Sequence, residues 1–117
     1  MKRADIILGG ILILSAIGHA FGSYAAYKSQ PMVLLWALCA SLAMLLLGAV
    51  NLLRVWRPGD KSLALICLFG NLAWLAPVIA FDRLIGNPFD VRPILQGIAV
   101  IGLAVFSVRS ALLARRA

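Results

Sequence analysis

At 117 residues, 63% of them apolar, with a mean hydropathy of +1.01, the chain is too greasy for a water-soluble domain, in which the apolar share is about half. Its formal charge of +7 comes from 11 Lys and Arg against 4 acidic residues. These cations sit at the ends of apolar runs and form no stripe interleaved with aromatics, which argues against a nucleic-acid partner and for lipid headgroups.

The first apolar run, about 6–26, is long enough to cross a bilayer as a helix. It is rich in small residues, and Ser15, Gly18 and Gly22 place a GxxxG pair and a nearby hydroxyl on one side. Small residues let membrane helices approach closely, so this span is expected to pack centrally in the bundle or to form a dimer contact. A competing reading takes Lys2-Arg3, the apolar run and Gly18-His19-Ala20 as a signal peptide cut after Ala20. Continuation of the run through 21–26 speaks for a full span instead.

After a short link at 27–30, a second span covers about 32–53, with Pro31 in its first turn, where the missing N–H does no harm. The interval 54–61 carries a Pro58-Gly59 turn signal, with Asp60 or Ser62 to cap the third span at about 62–81. Pro77 is expected to kink that span. The link 82–90 contains Asn87-Pro88 and ends in Asp90, the expected N-cap of a fourth span at about 91–111.

Each span must be helical, because hydrocarbon offers backbone groups no other partner. Short links make neighbours antiparallel, so the fold class is an all-α, integral-membrane bundle of four transmembrane helices running up-down-up-down, in a single domain. Lys2, Arg3, Arg54, Arg57, Lys61, Arg109, Arg115 and Arg116 collect on one side, against Lys28, Arg83 and Arg92 on the other. The positive-inside rule then puts both termini in the cytoplasm and the protein in a cytoplasmic (inner) membrane.

No acid or base is expected deep in a span: the basic residues sit at helix ends, Arg54 in the link to the third span and Arg109 inside the fourth helix near the membrane surface, snorkelling outward. Counting depth at 1.5 Å per residue puts His19 about 10 Å, Cys39 about 12 Å and Gln96 about 8 Å from the outer boundary, with Asn71 near mid-membrane. These four are the candidates for a polar ligand layer, His19 foremost because imidazole changes charge near neutral pH. The alternative is that each bonds across helices simply to be satisfied. Cys39 and Cys67 lie at different depths and are expected to be free thiols. With one His, no CxxC and no HxxxH, neither a metal nor another cofactor is expected. At the outer boundary Asp82, Arg83, Asp90 and Arg92 form a polar loop suited to ion pairing and capping.

In span number and loop length the chain resembles the small multidrug-resistance transporters, which implies a dimeric four-helix carrier. That family uses a glutamate in its first span, and here the first span has no acid beyond Asp5. Three readings therefore stand. The first is a non-enzymatic accessory subunit acting through helix packing with itself or a larger membrane complex. The second is a small-molecule or lipid carrier built around His19, and the third an interfacial lipid-modifying enzyme using the 82–92 loop.

Overall fold

A computed structural model describes residues 2–114; Arg115 and Arg116, counted in the charge bias, lie outside them. Four helices follow one another: α1 (Lys2–Tyr27), α2 (Pro31–Trp56), α3 (Lys61–Ile85) and α4 (Val91–Ala114). All four are long and apolar enough to cross a membrane. Each runs a few residues past its expected span. At 24–26 residues they reach about 36–39 Å, more than the ~30 Å hydrocarbon core, so their ends stand in the headgroup layers.

Local chemistry explains the boundaries. Pro31 opens α2 at its first position. Gly59, at φ 93°, makes the turn after α2, and the Asp60 carboxylate accepts from the Leu63 N–H at 2.9 Å to cap α3. Gly86, at φ 70°, closes α3 while its N–H bonds the Asp82 carbonyl. Asp90 Oδ1 accepts from the Arg92 N–H at 2.9 Å and starts α4 where the sequence placed it.

The helices form an up-down bundle with its tightest pairings between α1 and α2 and between α3 and α4; α1–α4 and α2–α3 contacts join the two hairpins. The end bearing the termini and the α2–α3 turn is called basal here, the opposite end distal. Leu12, Ala16, Met44, Ala99, Val100 and Leu103 form the core at mid-height. Large exposed side chains such as Phe21, Trp36, Phe69 and Leu84 ring the outside, as a hydrocarbon solvent allows.

The close α1–α2 approach lies basally, at Gly9 and Gly48. A Cβ at Gly48 would stand 3.1 Å from the Gly9 carbonyl oxygen and 2.8 Å from Ile13, so the two backbones meet where neither has a side chain. This corrects the expectation that Ser15, Gly18 and Gly22 pack the first span within the chain: a Cβ at Gly18 or Gly22 would meet nothing within 4 Å. In the distal half α1 and α4 stand apart.

Arg54 requires a second correction. It is not a loop charge: α2 continues through it to Trp56, and the side chain turns inward until it is 3% exposed. Its Nη2 donates to Asp5 Oδ1 at 2.5 Å and its Nη1 to the Ser110 hydroxyl at 2.9 Å, tying α2 to α1 and α4. Asn51 is fully buried and exchanges two amide bonds with Asn71 at 3.0 and 3.1 Å.

Candidate functional site

The gap between α1 and α4 is a cavity of about 450 Å³ in the distal half, lined by Ser15, Gly18, His19, Gly22, Leu95 and Gln96 among others. A second, of about 170 Å³, adjoins it beneath Trp74, Pro77 and Met44. His19, Phe81 and Gln96 border both.

His19 is oriented by α2. Its Nδ1 lies 2.7 Å from Ser41 Oγ, with the Ser23 hydroxyl at 3.5 Å on its own helix. Ser41 in turn donates to the Ala37 carbonyl at 3.1 Å. A hydroxyl has one hydrogen, so both Ser41 contacts are satisfied together in the tautomer in which Nδ1 carries the N–H and donates to Ser41. In that tautomer Nε2 bears the lone pair, and the His19 side chain lines both cavities.

Gln96 is oriented by α3. The Trp74 indole N–H donates to its Oε1 at 3.1 Å. That bond orients the amide, which keeps its NH₂ as a donor and a second lone pair on Oε1. Ser15, Ser23, Tyr27 and Arg92 add further polar groups to the same lining, among the apolar Phe81, Leu95 and Val91. A hydroxyl, which donates once and accepts, can be met by such a set.

The four proposed layer residues do not all converge. His19 and Gln96 share both cavities. Cys39 is exposed on the outside of α2 and borders neither cavity. The helix turns about 200° over two residues, so Ser41 faces His19 while Cys39, at a similar depth, faces away. Asn71 is tied off by Asn51. Cys67 is fully buried, and both thiols are free. Among the described residues, no three His, Cys, Asp or Glu side chains come together as metal ligands would.

At the distal mouth Asp90 and Arg92 form a bidentate pair, with Nη2 to Oδ2 at 2.8 Å and Nε to Oδ1 at 3.0 Å. Hydrogen bonds from the Arg92 side chain and backbone hold the Asp90 carboxyl well below the usual range, at about 2. The guanidinium also lies over the Phe81 ring, 5.4 Å from its centroid. Asp82 is half-buried and Arg83 exposed, and neither lines the two distal cavities, whereas Arg92 lines the larger one. The outer loop therefore does not converge on one point.

Sequence reasoning missed Ser41, Trp74 and the Asp5–Arg54 pair. A signal was present for the first and last. Ser41, Met44, Gly48, Asn51 and Val55 alternate by three and four residues along α2, and Arg54, three beyond Asn51, continues that buried face. Comparison of the chain with family models, with curated proteins and with solved structures finds no match.

Proposed function

We propose that this protein is a membrane-embedded binding protein or carrier for a neutral, largely apolar small molecule bearing a hydroxyl group. One observation carries the reading: the His19 imidazole, held through Nδ1 by Ser41, lines a cavity of about 450 Å³. The buried amides and hydroxyls basal to it bond within the bundle. The ligand hydroxyl donates to His19 Nε2 and accepts from Gln96, while its apolar body lies along Gly18, Gly22 and Leu95. An anionic ligand is disfavoured, since the one arginine in the lining, Arg92, is already paired with Asp90. In this reading the basic basal end faces the cytoplasm and the site opens toward the outer leaflet of an inner membrane.

Trp74 supplies the test, because Trp36 and Trp56 are 68% and 71% exposed and replaceable. In a Trp36→Phe, Trp56→Phe background, 4-nonylphenol is expected to change Trp74 emission saturably, and its methyl ether to bind about 10-fold more weakly. His19→Ala should abolish the difference. Equal affinity for phenol and ether in the parent would overturn the reading.

The accessory-subunit reading keeps one observation in its favour: Gly18 and Gly22 present a bare face unused within the chain. Occupation of that face by a helix of a partner predicts that Gly18→Leu breaks a complex that gentle solubilisation preserves.

A further inference from the structure

His19 and Gln96 stand where two cavities of different size and chemistry meet, for each of them lines both. The larger, about 450 Å³, lies between α1 and α4 and carries Ser15, Ser23, Tyr27 and Arg92 in its walls. The smaller, about 170 Å³, is walled mainly by α2 and α3. Beyond the shared His19 and Gln96, its one side-chain N–H or O–H is the Trp74 indole, which is spent on Gln96 Oε1. Met44 and Val78 in its wall are 2% and 8% exposed, so it reaches into the core. Away from the junction water finds no partner there, and hydrocarbon suits such a space better.

We infer that the ligand is a lipid-soluble secondary alcohol, its hydroxyl placed between a short, wholly apolar arm in the smaller cavity and a longer arm in the larger one. The inference rests on the hydroxyl-binding reading of His19 and Gln96 and narrows it. A hydroxyl held by two residues common to both cavities puts its carbon at their junction, with one substituent directed into each. A primary alcohol has a single arm and leaves one cavity unfilled, which forfeits contacts along its walls. An apolar cavity of about 150 Å³ takes benzene, so the smaller space suits a phenyl-sized group. A polar atom on that arm would face Met44, Pro77 and Val78 and lose its water without gaining a partner. The longer arm passes Ser15 and Ser23 and tolerates polarity there. Trp74 lines the smaller cavity and not the larger, so its emission reads the short arm.

The test uses two isomers, 1-phenylnonan-1-ol and 9-phenylnonan-1-ol, which differ in whether the hydroxyl stands between ring and chain or at the chain end. Both are titrated against Trp74 emission of the full chain in neutral detergent, in the Trp36→Phe, Trp56→Phe background. The interior alcohol is expected to bind about 10-fold more tightly. Ala40→Leu, which fills the smaller cavity, should bring it down to the affinity of its isomer. Gly22→Leu, which narrows only the larger cavity, should weaken both isomers alike. Equal affinities in the parent overturn the two-arm assignment, whether or not the variants fold. An equal loss for both isomers in Ala40→Leu overturns it too. The underlying reading is judged separately, by 4-nonylphenol against its methyl ether. A preference there with equal isomers removes only the two arms, and no preference there removes the hydroxyl site along with them.

Discussion

The basal and distal halves of the bundle are made from the same four helices and the same kinds of residue, yet they solve the problem of intramembrane polarity in opposite ways. Basally, Gly9 and Gly48 bring α1 and α2 into backbone contact, Asn51 and Asn71 satisfy each other, and Asp5 and Ser110 hold Arg54. Distally, Gly18 and Gly22 meet nothing, and His19 and Gln96 are held on one side only. Small residues are common to both. What differs is whether an opposing helix also lacks a side chain at that level, as α2 does at Gly48. A glycine facing a bare helix makes a contact, and a glycine facing a retreating helix makes a cavity.

The sharpest way to break this comparison is to unpair the basal charges. Asp5→Ala leaves Arg54 buried without its counter-ion and is expected to cost about 3–5 kcal/mol of stability, read by unfolding in mixed micelles. Replacing Asp5 and Arg54 together by apolar residues should recover much of that loss. If the double variant is as unstable as the single one, the pair is not the clamp described.

Next in size is the glycine contrast. Gly48→Ala drives a methyl toward a backbone carbonyl that cannot step aside, and should destabilise by about 1–3 kcal/mol. Gly18→Ala has open space and should stay within about 0.5 kcal/mol. Similar losses at both positions would erase the distinction between the halves.

The asparagine pair refines it further. Asn71→Leu strands the buried Asn51 amide and is expected to cost about 1–3 kcal/mol, with strong coupling to Asn51→Leu in a double-mutant cycle. His19→Ala, at the open end, should cost less than Asn71→Leu in stability while removing discrimination between phenol and ether.

The smallest effect is electrostatic. The Asp90 carboxyl titrates at about 2 in the folded protein against an ordinary 3.8. A depressed folded-state value means that its contribution is complete above about 4 and is lost as pH falls through about 2. Unfolding midpoints of wild type and Asp90→Asn should therefore differ by a constant amount at neutral pH and converge on acidification. A gap that persists at the acid end would show that the ion pair with Arg92 is not its source.

How much of this was legible differs by level. The four crossings, their antiparallel order and the caps at Asp60 and Asp90 followed from apolar run length, short links and turn chemistry, all properties of contiguous residues. Gln96 and His19 were legible as polar groups at a similar depth. Cys39 was not separable from them, because depth is set by residue count while facing is set by rotation about an axis that contacts alone define. The inward turn of Arg54 was hidden for the same reason, since charge near a span end reads as interfacial until a buried carboxylate is found opposite it.

The sequence by itself determined that the chain crosses as four helices, since a backbone in hydrocarbon can bond only within its own helix and every long apolar run obeys that locally. Only the tertiary structure decided which polar side chains are mutually satisfied and which border a cavity. That depends on which rung of one helix meets which rung of another, and so on the side chains that keep α1 and α2 together basally and α1 and α4 apart distally.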